Sequence, residues 1–159
     1  MGVTGCGKST VGRAIAEDLG WIFIEGDAFH GPLNLSKLVR GECLTDEDRR
    51  FWVQQLADEV KRRVASGRKL VLACSALKES QRKVLSGASA GVAFVHLHGD
   101  PEAIARRLEL RTGHFANAAL LPGQFAALEP SPDALELDAL LTVPELVSAV
   151  KSHFGARLI

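Results

Sequence analysis

The sequence predicts an α/β domain with a parallel sheet between two layers of helices, and three observations predict it. Short apolar runs that read as strands alternate with helical patterns along the chain. Polar side chains come directly after these apolar runs. In a parallel sheet those positions lie together at the edge formed by the carboxyl ends of the strands, where ligands bind. A glycine-rich segment, Met1–Thr10, stands directly ahead of a helical pattern. We expect one domain over residues 1–159, because a chain of this length suits a single hydrophobic core.

The glycine-rich segment has the spacing of a loop that wraps a phosphate group. Its residues fill the pattern G-x-x-x-x-G-K-[ST], with one further glycine inside the loop. Glycines let successive backbone N–H groups turn toward an anion, the lysine reaches the outer phosphates, and the serine hydroxyl can bind Mg²⁺. The helix behind the loop directs its positive end at the same anion. We therefore predict a nucleoside triphosphate site formed by Gly2, Val3, Thr4, Gly5, Cys6, Gly7, Lys8, Ser9 and Thr10.

A loop of this kind follows a buried strand, yet only Met1 precedes it in this sequence. We therefore expect the first, central strand of the sheet to be missing from the chain. Backbone groups of the neighbouring strands would then lack hydrogen-bond partners. Each lost hydrogen bond would lower the free energy of unfolding by about 1 kcal/mol. We expect the chain alone to be unstable, or to close the gap imperfectly.

The remaining elements follow from periodicity and from capping residues. The strands are predicted at 21–24, 69–73, 92–97 and 135–137. The helices are predicted at 9–19, 34–39, from 45 or 46 to the Ser66-Gly67 break, at 79–85, from 101 to the break at Gly113, around 118–127, and at 144–154.

Composition and charge argue against several classes of protein. Lysine plus arginine number 19 and aspartate plus glutamate also number 19, so no basic field exists to hold nucleic acid. No apolar run approaches the roughly 20 residues of a membrane span. Cys6, Cys43 and Cys74 are scattered, without the spacing of a disulfide framework or zinc site. We expect a cytoplasmic protein that binds neither nucleic acid nor membrane.

Two carboxylates follow the first predicted strand. Glu25 and Asp27 are two positions apart, so their side chains can project to the same side. One carboxylate could hold Mg²⁺ through water, which we assign to Glu25, and the other could orient an attacking hydroxyl. Asp27 is favoured for the second role because it lies farther beyond the end of the strand, toward a second substrate. The alternative is that both acids merely end a strand.

Four other polar residues lie where a second substrate would bind. His30 and Asn34 follow the carboxylates, although each alone would serve a loop equally well. Arg49 stands near an acidic helix start, where a cation is electrostatically disfavoured, so a role toward a ligand is as plausible as a solvated one. Lys78 follows a strand end and has a surface lysine as its alternative.

A segment at about 111–130 is predicted to form a flap over the site. Arg107 and Arg111 lie i,i+4 on one helix face ahead of it. Such a pair can be a solvated face, but arginines beside a triphosphate site can also neutralise charge during phosphoryl transfer. We predict Lys8, Asp27 and Arg111 as the catalytic residues.

The chain resembles the gluconate kinases of the small phosphate-loop type, relatives in fold of shikimate and nucleoside monophosphate kinases. The similar segments run in order over nearly the whole chain and are Gly2-Val3-Thr4-Gly5-Cys6-Gly7-Lys8-Ser9, Glu25-Gly26-Asp27 with His30, Asn34-x-x-Lys37, Gly41-Glu42-x-Leu44-x-Asp46-x-Asp48-Arg49 with Trp52, Cys74-Ser75-Ala76-Leu77-Lys78 with Arg82, Arg107-x-x-x-Arg111-x-Gly113-His114-Phe115, and Gln124-Phe125-x-x-Leu128-Glu129-Pro130. The phosphate loop alone indicates only a nucleotide, whereas the Cys-Ser-Ala-Leu-Lys, Gly-His-Phe and Gln-Phe segments are specific to the family. The chain departs at Gly31, where the family has proline.

The resemblance implies a three-layer P-loop NTPase fold and phosphorylation of D-gluconate on its 6-hydroxyl by ATP with Mg²⁺. It also implies a homodimer. By position, Lys8 and Ser9 would serve ATP and Mg²⁺, while Arg107 and Arg111 would contact the phosphates from the flap.

The same resemblance assigns the second substrate. The hydroxyls of gluconate would meet Asp27, His30 and Asn34, and its carboxylate would meet Arg49 as first choice or Lys78 as second. A kinase of another small hydroxylated substrate, such as shikimate, is the alternative within the fold. A truncated, non-catalytic nucleotide-binding protein is the alternative outside it. A regulatory GTPase is disfavoured because the sequence has no Asn-Lys-x-Asp motif.

Overall fold

The computed structural model describes residues 1–110 and 118–155, in which helices and strands alternate as expected. The strands are β1 (Ile22–Glu25), β2 (Leu70–Ala73), β3 (Val95–His98) and β4 (Leu135–Asp138). The α-helices are α1 (Lys8–Leu19), α2 (Pro32–Val39), α3 (Asp46–Ala65), α4 (Glu79–Ser86), α5 (Pro101–Glu109), α6 (Leu121–Ala127) and α7 (Val143–Phe154), and 3₁₀ turns lie at Gly26–Phe29 and Ala118–Leu120.

Capping residues set the helix boundaries, as the sequence predicted. Gly20 ends α1 in a left-handed conformation at φ 66°. Of the two candidates for the N-cap of α3, Thr45 takes the position and forms a reciprocal capping box with Asp48. Asp100 caps α5 by accepting a hydrogen bond from the Ala103 N–H at 2.9 Å. No helix in the described ranges is both long and apolar enough to cross a membrane.

Several boundaries or environments differ from the sequence expectation, and one of them is the end of α5, which lies at Glu109 and not at the Gly113 break. Helix α2 begins at Pro32 and not at Asn34, because proline is well suited to the first helical position. Strand β3 begins at Val95 and not at Val92, since its pairing with β4 starts at Val95. Strand β1 is only partly buried, with Ile24 its single buried residue, because it pairs with β2 on one side.

The sheet consists of two parallel pairs, β1 with β2 and β3 with β4. The first two residues of the chain lie between these pairs. The Met1 nitrogen donates to the Val95 carbonyl, and Met1 in turn accepts from the Leu97 N–H at 2.9 Å. On the other side, the Gly2 N–H donates to the Ser75 carbonyl at 3.1 Å, just beyond β2. Between β2 and β3 the described chain therefore supplies only these two residues.

Helices cover both faces of the sheet. Val71 packs against a core built largely from α1, α5 and α7, whereas its neighbour Leu72 packs against a second core from α3 and α4. Adjacent residues of a strand point to opposite faces, so the two cores lie on opposite sides of β2. The expected three-layer α/β arrangement is confirmed, and it brings the phosphate loop, the end of β1 and the start of α3 to one edge.

Candidate active site

The glycine-rich segment forms a tight loop that leads directly into α1. Gly2, Gly5 and Gly7 have φ values of 139°, 79° and 94°, which L side chains rarely adopt. At Gly2 a Cβ would also lie 2.5 Å from the Leu97 carbonyl oxygen, so only glycine lets the loop pass over the end of β3. Gly7 is the N-cap of α1, and Lys8 is its first residue. The loop is thus held at the positive end of a twelve-residue helix.

Lys8 extends back over this loop. Its Nζ atom donates a hydrogen bond to the Val3 carbonyl at 2.8 Å. Val3 is itself buried in the first core, which fixes the position of that carbonyl. The ammonium group is therefore held at the loop that the sequence predicted to bind phosphates.

A cleft opens beside the loop and collects side chains from five parts of the fold. They come from the loop and α1, the 3₁₀ turn after β1, α2 and α3, the end of β2, and the segment around α6. The lining residues are Thr4, Lys8, Asp27, His30, Leu38, Leu44, Arg49, Trp52, Ser75, Leu120 and Gln124. Four of the residues predicted for catalysis or for the second substrate therefore meet with the phosphate loop in one cleft.

Trp52 organises the wall that carries His30. The two rings stack with centroids 4.5 Å apart and planes at 20°. The Trp52 Nε1–H donates to the Gly26 carbonyl at 2.8 Å, which ties α3 to the 3₁₀ turn. Gly26 is needed there because a Cβ would lie 2.5 Å from the Ala73 carbonyl oxygen. The turn that carries Asp27 therefore packs closely against β2 and is hydrogen-bonded to α3 through Trp52.

Burial disfavours the charged form of His30, and one of its ring nitrogens lacks a hydrogen-bond partner within the described residues. Burial lowers the pKa of His30 below its usual 6.5, and the nearby Arg49 lowers it further, while Asp27 opposes the shift. Its Nε2 atom lies 3.8 Å from Oδ1 of Asp27. Its buried Nδ1 atom has no hydrogen-bond partner within residues 1–110 and 118–155. If Nε2 carries the proton toward Asp27, Nδ1 is left as an acceptor without a partner in the described part of the chain.

Arg49 is a buried cation, with only 7% of its surface exposed. Burial lowers the pKa of its guanidinium, an effect opposed by Cys43 and by the nearby acids Asp46 and Asp48. Within the described part of the chain, no carboxylate lies within ion-pair distance of Arg49. The positive charge is therefore available to an anion that enters the cleft.

The acids nearest to Arg49 are engaged by other cations. Asp48 accepts two hydrogen bonds from Lys37 at 2.8 Å, and these bonds, with those from Thr45, lower its pKa to about 2. Asp46 pairs with the Lys78 ammonium at 2.8 Å. These contacts keep both carboxylates away from the Arg49 guanidinium.

Several predicted site residues lie outside the lining of the cleft. The Asn34 amide donates to the Asp48 carbonyl at 2.9 Å, and Lys78 is held by Asp46. Glu25 is half-buried at the end of β1, beside the cleft but not in its lining. Arg107 donates to the Ala139 carbonyl after β4. Arg111, predicted as its partner on the same helix face, lies outside the described residues.

Six residues of the lining were not predicted as site residues, and three of these six carry a polar group. Trp52 falls on the apolar period of α3, which favours a place in the core. Ser75 was named only within the Cys-Ser-Ala-Leu-Lys segment of the family resemblance. Gln124 drew attention only as part of the family-specific flap segment, although a glutamine in an otherwise apolar stretch was a usable signal. Its contact with the loop joins residues 120 positions apart, which no local pattern reveals.

A divalent metal ion would find oxygen donors here but no closed protein cage. Ser9 follows Lys8 in the first turn of α1, and Asp27 lines the cleft. Among the residues that the structure describes, no three His, Cys, Asp or Glu side chains cluster so as to hold a metal. Mg²⁺ at phosphate-transfer sites typically takes one or two protein oxygens and completes its octahedron with phosphates and water. The donor set therefore fits Mg²⁺ that binds together with a nucleotide.

Comparison with known proteins agrees with this arrangement. The family model described as shikimate kinase matches residues 4–120. A gluconokinase of Gluconobacter oxydans is 46% identical over 133 residues, which cover 84% of this chain and 75% of that protein. The crystal structure of a gluconokinase from Sinorhizobium meliloti has a TM-score of 0.84 at 41% identity and covers 96% of this chain and 87% of that one. An unliganded sugar kinase from Janibacter has a TM-score of 0.90 at 40% identity, over 96% and 90% of the two chains. The chain belongs to the shikimate kinase family and, within it, to the gluconokinases.

Proposed function

We propose that the protein transfers the terminal phosphoryl group of ATP to the 6-hydroxyl of D-gluconate, giving 6-phospho-D-gluconate and ADP. The observation that carries this proposal is a buried Arg49 without a carboxylate partner among the described residues, in the same cleft as Lys8 and Asp27. Such a cleft suits an acceptor that is anionic at one end and carries a hydroxyl at the other. Gluconate is a molecule of that kind, and gluconokinases are the relatives of this chain.

The acceptor end of the cleft is formed by Arg49 and His30. The guanidinium fork of Arg49 would bind the gluconate carboxylate through two parallel hydrogen bonds. The Nδ1 atom of the neutral His30 would accept a hydrogen bond from a hydroxyl of the chain. Of the two cations predicted for the carboxylate, Arg49 fits better, because Lys78 is already paired with Asp46.

The phosphoryl end is formed by the phosphate loop and Asp27. The loop N–H groups would bind the phosphates, and Lys8 would exchange the Val3 carbonyl for a phosphate oxygen. Asp27 would accept the proton of the 6-hydroxyl while the oxygen of that hydroxyl attacks the terminal phosphorus of ATP. When bound, Mg²⁺ would neutralise phosphate charge, held by Ser9 and, through water, by Glu25. The predicted contacts of Arg107 and Arg111 with the phosphates belong to the same proposal.

We further propose that the protein acts as a homodimer in the cytoplasm. Leu33, Val39 and Phe51 are large apolar side chains that are 60–82% exposed on α2 and α3, and a second copy would cover them. The unpaired Cys6, Cys43 and Cys74 fit a reducing compartment. Size-exclusion chromatography with light scattering tests the dimer, and a monomer at micromolar concentration would contradict it.

A coupled assay of ADP release with Mg-ATP and gluconate tests the reaction. We expect gluconate-dependent ADP release and a product whose phosphorus couples to the protons on carbon 6 in its NMR spectrum. Shikimate in place of gluconate should give no ADP above background. ATP binding without gluconate-dependent turnover would contradict the proposal.

A further inference from the structure

Helix α6 reaches the phosphate loop through one side chain. The backbone N–H of Thr4 donates a hydrogen bond to Oε1 of Gln124 at 2.6 Å. Both residues are at most 9% exposed, so the contact is shielded from water. Gln124 thereby joins α6 to the phosphate loop in the lining of the cleft.

This contact fixes which way the carboxamide points. A backbone N–H can only be met by an acceptor, so Oε1 must face Thr4 and the Nε2 amino group must occupy the other branch. Within residues 1–110 and 118–155, the Gln124 side chain makes the Thr4 hydrogen bond and Nε2 makes none. Gln124 lines the cleft together with Lys8 and Asp27. The amide therefore presents two unused N–H donors beside the phosphate loop.

We infer that Gln124 is a catalytic residue that donates an Nε2–H hydrogen bond to an oxygen of the phosphoryl group during its transfer. The inference rests on the proposed kinase function and names a donor for that reaction. The transferred group spreads negative charge over its equatorial oxygens and needs donors already in place around it. Lys8 and the loop supply donors from one side, and Gln124 supplies one from the side of α6. The Thr4 contact sets the position of this donor before substrates bind.

Two variants separate the Nε2 donor from the Thr4 contact. Gln124→Glu keeps an oxygen that can accept from Thr4 but loses the donor, whereas Gln124→Met loses both without adding charge. We expect both to lower kcat by about 100-fold, the cost of removing one preorganised donor. The KM values for ATP and gluconate should stay within about threefold. The Glu variant, which can still accept from Thr4, should retain the melting temperature, whereas the Met variant should melt lower because the buried Thr4 N–H loses its partner. Gln55→Glu, on an exposed position of α3, is the matched control and should leave kcat unchanged.

The other outcomes would overturn the inference. A loss in the Met variant alone would mean that only the Thr4 contact matters. A loss in the Glu variant alone would mean that the new carboxylate merely repels phosphate. Unchanged kcat in both variants would remove any role for Gln124 in the reaction.

A binding measurement tests the role of Gln124 without gluconate or any other acceptor substrate. ADP with aluminium fluoride mimics the transferring phosphoryl group, so both Gln124 variants should bind it about 100-fold more weakly while binding ADP alone as the wild type does. If the wild type does not phosphorylate gluconate but shows this difference, the proposed substrate fails and the role of Gln124 stands. Equal affinity of the wild type and the variants for the mimic would overturn that role.

Discussion

At the scale of single residues, Arg49 and Asp27 divide the work that we propose for the cleft. Arg49 is buried beside acids that bind Lys37 and Lys78, so its charge is left for a ligand. Asp27 keeps about a third of its side chain exposed, in the cleft that also contains Lys8. One residue would therefore hold the acceptor, and the other would activate it.

Replacement of Arg49 should weaken gluconate binding selectively. In Arg49→Met we expect the KM for gluconate to rise about 10- to 100-fold, since a hydrogen bond to a charged group contributes about 1.5–3 kcal/mol. ATP affinity should be unchanged. Arg50→Met is the control, because Arg50 is the next residue of α3 but is exposed and paired with Glu47. Steady-state kinetics with each substrate varied would detect the effect, and an unchanged gluconate KM would refute this role.

Replacement of Asp27 should impair turnover more than binding. In Asp27→Asn the amide keeps the shape but cannot accept the proton, so we expect kcat to fall about 10²- to 10⁴-fold. Calorimetry should show ATP affinity close to that of the wild type. Asp133→Asn, at an exposed position outside the cleft, should retain full activity. A kcat within a few-fold of the wild type would exclude Asp27 as the base.

At the scale of elements, α3 carries both Arg49 and Trp52, so its start determines the geometry of the cleft. Thr45 accepts from the Asp48 N–H at 3.2 Å, and the Asp48 carboxylate accepts from the Thr45 N–H at 2.9 Å. Thr45→Ala should lower the free energy of unfolding by about 1 kcal/mol, whereas Thr45→Ser should preserve it. Urea unfolding measures the difference, and equal stability of the Ala and Ser variants would count against the capping box.

His96 lies opposite Glu136 where β3 pairs with β4, and its titration should make the free energy of unfolding depend on pH. Burial lowers the pKa of His96 below 6.5, and its contact with Glu136 opposes this only in part. The unfolded chain therefore takes up this proton at a higher pH than the folded protein does. As a result, stability is lost as the pH falls from about 6.5 through the lower folded pKa.

His96→Gln removes this titration. We expect its free energy of unfolding to fall less between pH 7 and pH 5 than that of the wild type. The exposed His153→Gln is the control and should keep the wild-type slope. Urea titrations at several pH values measure the slopes, and identical slopes for His96→Gln and the wild type would contradict this account.

The ends of helices were easier to predict from the sequence than the ends of strands. Helix ends were predictable at Gly20, Thr45 and Asp100, because capping is a contact within a few residues. The start of β3 was not, because Val92 and Phe94 have strand-like side chains while pairing begins only at Val95.

Site residues followed the same rule. The phosphate loop was predictable from the spacing of its glycines, lysine and serine, and Asp27 was predictable from its place after a strand end. Asn34 and Lys78, which were predicted for the substrate, contact α3 in the structure, and their role toward a substrate stays a prediction. Gln124 required the tertiary fold, because α6 reaches Thr4 only once the chain is packed.

At the scale of the whole molecule, the described residues leave a gap between β2 and β3, and we expect this gap to lower the free energy of unfolding. Only Met1 and Gly2 bond to the backbone there, so the inner edges of both strands are largely unpaired among the described residues. Four residues of high strand propensity fused ahead of Met1 should pair with both edges. At about 1 kcal/mol for each hydrogen bond, the melting temperature should rise by several degrees or more. A polar Gly-Ser extension of equal length should have no effect, and equal melting of the two fusions would show that the gap is not filled.

The cleft places two cations at set positions, the Lys8 ammonium above the phosphate loop and the Arg49 guanidinium on α3. The helices that carry them, α1 and α3, each pack into a hydrophobic core. Under the proposed function, an acceptor must bind its anion at Arg49 while its last hydroxyl reaches Asp27. We therefore expect a sugar acid with a shorter chain to leave that hydroxyl short of Asp27. The length of the acceptor chain would then be selected by the separation of two side chains on different elements.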